Sequence, residues 1–229
     1  MSKRPVVLVV MDGIGISDNE FGNAVKAAYK PTLDELWGTC PHTEIKAHGL
    51  AVGLPTDGDM GNSEVGHNAL GCGQIYSQGA KLVNENIETG EIFNTDTWKD
   101  LVANCKDGKM HFLGLLSDGN VHSHINHLKA LIKRAKEDGV KEVRIHALLD
   151  GRDVPETSAL TYVDDIEAYM ADLNDDNFHA CIASGGGRMT ITMDRYEANW
   201  AMVEQGWHVH VLGEGREFAS ADRKSTRLN

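Results

Sequence analysis

Apolar runs of strand length recur along this chain and, through its middle, alternate with stretches whose apolar residues repeat at helical spacing. That alternation constrains the fold more than any other feature. The runs are Val6 to Met11, Met110 to Leu116, Val143 to Leu149, Ala180 to Ala183 and His208 to Leu212, each bounded by Gly, Asp or Ser. Between the later runs, Ile125, Leu128, Ile132 and Ala135 share one helical face, with Gly139 placed to end that helix. Leu160, Val163, Ile166, Tyr169, Met170 and Leu173 form a second stripe. Strand, helix and strand in succession imply a parallel sheet covered by helices, so the fold class is α/β. The first 78 residues differ: one strand-to-turn unit, a short helix near Thr32 to Trp37, and a Gly-rich segment from Gly49 to Gly73. A single strand cannot hide its own edges, so this part expects partner strands from elsewhere in the fold.

Composition narrows the partners. A net charge of -12 over 229 residues argues against nucleic acid or an anionic membrane surface, because both require clustered Lys and Arg. An anionic substrate would have to meet a local basic site. Cys40, Cys72, Cys105 and Cys181 are far apart with no CxxC pair, which suggests reduced thiols in the cytoplasm rather than a disulfide framework. No apolar stretch approaches the roughly 20 residues that span a bilayer. The end of the chain, Asp222 to Asn229, reads DRKSTRLN without helical or strand period; it reads as an artefactual tail, with an ordinary disordered terminus as the alternative.

Chemistry-bearing residues fall at the ends of the strand-like runs, where α/β sheets place ligands. Asp12 ends the first run and precedes Gly13, a pairing that suits a metal ion, although such an aspartate also serves to cap a turn. Ser63, within Gly61-Asn62-Ser63-Glu64-Val65-Gly66-His67-Asn68, opens a possible helix; it is either an activated nucleophile or an N-cap serine. Ser117-Asp118-Gly119-Asn120-Val121-His122-Ser123-His124-Ile125-Asn126-His127 follows a strand. Its three histidines allow a zinc reading, but no carboxylate or cysteine completes a familiar spacing, and an anion contact fits better. Asp150-Gly151-Arg152-Asp153 and Gly185-Gly186-Gly187-Arg188, with Met193-Asp194-Arg195-Tyr196 beyond, place arginines after successive strands. Guanidinium forks there can hold a doubly charged phosphate.

Taken together, VVMDG, GLPTDGDMGNSEVGHNALG, SDGNVHSH, DGRD and GRMTITMDRYEANW resemble, in order, the cofactor-independent phosphoglycerate mutases of the alkaline-phosphatase-like superfamily. The resemblance implies a split phosphatase domain, of which residues 1–78 are the N-terminal piece, with an inserted α/β transferase domain over 79–221, truncated, and the tail 222–229 outside both. It implies interconversion of 3-phosphoglycerate and 2-phosphoglycerate through a phosphoserine at Ser63, without 2,3-bisphosphoglycerate. Two divalent ions are implied, manganese first and magnesium or cobalt as alternatives, with Asp12 and Ser63 among their ligands. Substrate contacts map to His122, Arg152, Asp153, Arg188 and Arg195, in a cytoplasmic enzyme that is a monomer when complete. Asn120 stands where the family commonly has Gly. The family's remaining metal ligands have no counterpart in these residues, so turnover by this chain alone is not expected. The rival readings are another phosphatase or phosphomutase of the superfamily and a noncatalytic phosphoglycerate-binding fragment.

Overall fold

Parallel strands need a helical crossover between them, and the three central apolar runs with their two intervening stripes supply one unit after another. The computed structural model describes residues 4–11, 13–194 and 197–218, and the chain divides into two compact units between Ile45 and Lys46. Residues 46–78 thus cluster with the unit that holds the sheet.

In the first unit, α1 (Ala24–Ala27) is one turn and α2 (Pro31–Thr39) begins with proline, whose fixed φ suits a first helical turn. The strand expected over Val6 to Met11 does not form. Those residues are irregular and exposed, Val6 at 96%. β-propensity alone leaves a lone segment with its backbone groups hydrogen-bonded to water, and no strand pairs with this one among the described residues.

The second unit opens with a 3-10 turn (Gly49–Val52), then α3 (Ser63–Cys72), α4 (Ala80–Glu88), α5 (Glu91–Asn94) and α6 (Asp96–Asn104). It continues β1 (Met110–Leu116), α7 (Ile125–Glu137), β2 (Glu142–Leu149), α8 (Ala159–Leu173), β3 (His179–Gly187) and α9 (Trp200–Trp207). The strands form a three-stranded parallel sheet in the order β1-β2-β3. Both helical stripes form as expected, and Gly139 follows α7 at φ +87°.

Side chains alternate across a strand, so β2 divides its residues between two faces. Val143, Ile145 and Ala147 pack with Met110, Leu116 and Ala180 against Ile132 and Ala135 of α7 and Val163, Ile166 and Met170 of α8. This is the main core. The other face carries Leu115 and Leu148, covered by Ile191 and Val209. A hydrogen-bonded row also runs across it: His111 Nδ1 to His146 Nε2 at 2.8 Å, His146 Nδ1 to Ser184 Oγ at 2.6 Å, and Ser184 Oγ to His210 Nδ1 at 2.7 Å.

Two expected strand boundaries change. His208–Leu212 is a π-helical turn continuing α9, not a strand; the helical path brings Val209 onto Leu115, Leu148 and Ile191 while His210 reaches Ser184. The glycines after Ser184 belong to β3 itself. A Cβ on Gly185 would lie 2.6 Å from the Ala147 carbonyl oxygen, and one on Gly186 would lie 2.5 Å from Ile191 Cδ1. The run of glycine is therefore a packing requirement of the strand.

Candidate functional site

The carboxyl ends of β1, β2 and β3 meet in one buried polar cluster. Ser117 directly follows β1, Asp150 directly follows β2 and Arg188 directly follows β3. Parallel pairing in register sets those three residues side by side, and the Arg188 amide donates to the Leu149 carbonyl at 2.9 Å. Ser117 Oγ donates to Asp150 Oδ2 at 2.6 Å. Arg188 Nη1 donates to Asp150 Oδ1 at 2.9 Å and to Asp153 Oδ2 at 2.7 Å. The amides of Arg152 and Asp153 donate to Asp150 Oδ1 at 3.2 and 3.1 Å, which folds the loop after β2 around the carboxylate. The Asp150 side chain is 0% exposed and that of Arg188 is 5%. Burial alone would raise the Asp150 carboxyl above its usual range. The hydroxyl, the amides and the guanidinium outweigh it and hold the carboxyl below the usual carboxylate range.

The loop after β1 leans on the same cluster. A Cβ at Gly119 would meet Asp153 Cβ at 3.0 Å and Val154 Cγ1 at 3.2 Å, so a glycine is needed for the close approach. Ser123 Oγ donates to the Leu115 carbonyl at 2.8 Å and the Ile125 amide to the Ser117 carbonyl at 2.9 Å, which closes the loop and starts α7. His122 is exposed on this loop, as Arg152 is on its own.

The two later histidines of the motif have structural work. His124 Nδ1 caps α7 by accepting from the Asn126 amide at 3.1 Å. His127 Nε2 pairs with Asn84 Oδ1 at 2.5 Å, and burial, then the charge of His124, lowers its pKa. With those nitrogens engaged, the zinc reading of the three histidines is set aside, and among the described residues no group of three or more His, Cys, Asp or Glu is arranged to hold a metal ion.

Ser63 is the first residue of α3 and is exposed. It is not the N-cap. Asn62 takes that place, accepting from the Val65 amide at 2.9 Å, which leaves the serine hydroxyl out of the capping contact. His67 Nδ1 lies 2.7 Å from the Ser63 carbonyl oxygen and 3.2 Å from Oγ. The shorter contact requires Nδ1 to carry a hydrogen and donate to the carbonyl, so in this arrangement His67 does not take the hydroxyl proton at that nitrogen. The Gly-rich loop that delivers Ser63 is tightly folded: Gly53 has φ +84° and a Cβ there would fall 1.9 Å from the Tyr76 carbonyl oxygen. Buried Gln78 ties this loop to α3, its Nε2 donating to the Val52 and Val65 carbonyls at 2.7 and 3.2 Å.

Asn120, the departure from the family pattern, has φ +59°, a conformation that asparagine tolerates better than most residues. Its Nδ2 donates to Asp59 Oδ1 at 2.5 Å, linking the loop before Ser63 to the loop that bears His122. Asp59 also accepts from the Thr56 amide and hydroxyl at 2.6 and 2.7 Å.

Of the residues singled out from sequence, Asp153 and Arg188 are in direct contact, Arg152 shares the loop of Asp153, and His122 sits on a loop packed against Asp153. Asp12 and Arg195 lie outside the described residues. Sequence reasoning missed Ser117 and Asp150 as members of the cluster. Both stood in quoted motifs, and the signal available was their position one residue past an apolar run.

An arginine and two carboxylates are thus gathered at the strand ends of a parallel α/β sheet, the place where such folds carry their ligands. The profile of the family described as "BPG-independent PGAM N-terminus" matches residues 83–227, and the chain belongs to that family. It is 56% identical over 222 residues to a probable 2,3-bisphosphoglycerate-independent phosphoglycerate mutase of Leptospira interrogans, covering 95% of this chain and 40% of that protein. It is 50% identical to the 2,3-bisphosphoglycerate-independent phosphoglycerate mutase of Trypanosoma brucei brucei, covering 100% of this chain and 42% of the relative. A crystal structure of Leishmania mexicana phosphoglycerate mutase at low cobalt concentration superimposes with a TM-score of 0.83 at 48% identity, over 95% of this chain and 40% of that one. The chain thus spans about two fifths of the length of these relatives. Among the described residues no helix is long and apolar enough to cross a membrane.

Proposed function

We propose that this chain supplies the substrate-holding strand ends and the phosphoryl-accepting serine of a cytoplasmic, monomeric phosphoglycerate mutase that works without 2,3-bisphosphoglycerate. The observation that carries the reading is the convergence of Ser117, Asp150, Asp153 and Arg188 at three adjacent strand ends. Both hydrogen bonds of the Arg188 side chain run through Nη1, which leaves Nε and Nη2 for an anion. Arg152, His122 and Arg195 complete the anion contacts in this reading, with Asp153 holding a substrate hydroxyl.

In the reaction, Ser63 Oγ bonds to the phosphorus of 3-phosphoglycerate as the bond from phosphorus to the C3 oxygen breaks. The serine gives up its hydroxyl proton and the departing C3 oxygen takes one up. The glycerate turns against the arginines, and its C2 hydroxyl then takes the phosphoryl group back, restoring Ser63. Divalent ions, manganese ahead of magnesium or cobalt, would supply positive charge beside the serine, with Asp12 and Ser63 as contributors to their site. The described residues do not by themselves assemble such a centre.

For the 229-residue chain by itself, binding without turnover is the favoured reading, because it spans 40% of its relatives. Calorimetric titration with 3-phosphoglycerate, alongside an enolase-coupled assay with manganese, tests both. Saturable binding with no turnover is the expected result. Manganese-dependent mutase activity would overturn the binding-only reading, phosphate release without isomerisation would favour a phosphatase of the superfamily, and absence of binding would sink the phosphoglycerate assignment. In a full-length relative, replacing the serine equivalent to Ser63 by alanine is expected to abolish turnover while leaving ligand binding intact.

A further inference from the structure

We propose that Asp150 is a positioning residue for phosphoglycerate, one that acts through Arg188 and the 151–153 loop without itself touching the ligand. The inference rests on the phosphoglycerate reading and adds to it the group that fixes the arginine. Asp150 accepts from Ser117 Oγ, from Arg188 Nη1 and from the amides of Arg152 and Asp153, so one carboxylate joins the ends of all three strands. Its side chain is fully buried. Four donors of the chain already occupy its two oxygens, whereas Arg152 and His122 are exposed.

The effect on Arg188 is directional. Nη1 sits between Oδ1 of Asp150 and Oδ2 of Asp153, and a planar guanidinium fixed at one nitrogen has its other two nitrogens fixed as well. A ligand that meets Nε and Nη2 then avoids much of the cost of ordering a long side chain. The same carboxylate holds the Arg152 and Asp153 amides, so the register of the loop and the aim of Arg188 are set by one residue.

Asp150→Asn separates charge from shape. An amide oxygen still accepts from the two backbone amides, and its NH2 can donate to Ser117 Oγ, so the loop keeps its hydrogen bonds while the negative charge facing Arg188 is lost. The test compares the full 229-residue chain, Asp150→Asn, Arg188→Lys and the double variant, titrated calorimetrically with 3-phosphoglycerate and, in parallel, with inorganic phosphate. Each single variant is expected to bind 3-phosphoglycerate about tenfold more weakly or worse. The double variant is expected to bind no more weakly than Arg188→Lys alone, because the carboxylate has no effect once its arginine is gone. A residue that only supports the fold would give additive losses.

Additive losses, or an Asp150→Asn chain that binds as the parent does, overturn the proposal while leaving the phosphoglycerate reading intact. A parent chain that binds no 3-phosphoglycerate overturns that reading and this inference with it. Where Asp150→Asn does not fold, Ser117→Ala removes one holder of the carboxylate and keeps its charge. It must weaken binding beside Arg188 and not beside Arg188→Lys; loss of equal size in both backgrounds refutes the proposal.

Discussion

Removing Arg188 should cost far more stability than a surface arginine, and the structure says why. Arg188→Met deletes the nitrogen that lies 2.9 Å from Asp150 Oδ1 and 2.7 Å from Asp153 Oδ2. Asp153 is 13% exposed and has some access to water, whereas Asp150 has none. Breaking a buried pair from one side costs about 3–5 kcal/mol because the remaining charge is left without its counter-ion. Asp150 keeps Ser117 Oγ and two backbone amides, which places the expected loss near the lower end, about 3 kcal/mol. Urea denaturation followed by far-UV circular dichroism measures it, with an unchanged slope showing that the same surface is exposed on unfolding. Adding Asp150→Asn to Arg188→Met should recover much of the loss, since a neutral amide satisfies the same amide donors at no charge-burial cost. A loss below about 1 kcal/mol, the level of an exposed pair, would refute the reasoning, as would a double variant no more stable than Arg188→Met.

Three further outcomes follow from the same geometry. Ile166→Ala, at a side chain 0% exposed between α8 and the sheet, should cost about 2–5 kcal/mol in urea denaturation; a loss within 1 kcal/mol would mean that the site collapses around the cavity. Gly53→Ala forces a Cβ to within 1.9 Å of the Tyr76 carbonyl oxygen at φ +84°. Amide exchange at Leu54 and Gln78, which donate to Gly49 and Gly53, should speed up while the β1 to β3 amides keep their protection; unchanged exchange would show that the backbone gives way cheaply. Asp59, Asp138 and Asp150 are all held below the usual carboxylate range in the folded chain, where in each case burial opposes ionisation and hydrogen bonds to the carboxylate outweigh it. A depressed carboxyl contributes stability that is present above its unfolded value and lost as pH falls through the folded one. His127, whose pKa folding lowers, takes stability away as pH falls below about 6.5, and the three carboxylates add a steeper fall below about 4; a urea midpoint still constant at about pH 3 would refute this.

The central βαβαβ unit was legible because its periods are unambiguous. Four to six apolar residues repeat at helical spacing between continuous apolar runs, and Gly139 marks the end of α7. The failures have physical causes. Val6 to Met11 has the composition of a buried strand, but composition cannot supply the neighbour that a strand needs. His208 to Leu212 alternates polar and apolar over only five residues, a length at which strand and helix patterns are confounded, and packing on Ile191 decided for the helix. At the site, Arg152 and Arg188 could be picked out because arginine after an apolar run is conspicuous in an acidic chain, whereas Asp153 came only with the family resemblance. Asp150 and Ser117 were invisible as cluster members because their importance lies in register. Only when Leu116, Leu149 and Gly187 end their strands side by side do the next residues face one another. Asn120 gave no signal either, since its partner Asp59 lies 61 residues away.

That the proposed phosphate site is built on a buried carboxylate looks at first like a contradiction, because negative charge should repel the ligand. The geometry resolves it. Asp150 has donors on both oxygens and shares the Nη1 of Arg188 with Asp153, so its charge is spread over a hydroxyl, two amides and a guanidinium that it does not hold alone. What the carboxylate adds is fixity, since an arginine at a strand end with no anchor would sample many rotamers and lose that freedom on every binding event. In a chain of net charge -12, attraction at long range is weak, and selectivity for a dianion must come from donors already aimed at it. The arrangement of one aspartate, one arginine and three strand ends meets that requirement with residues that parallel pairing brings together in any case.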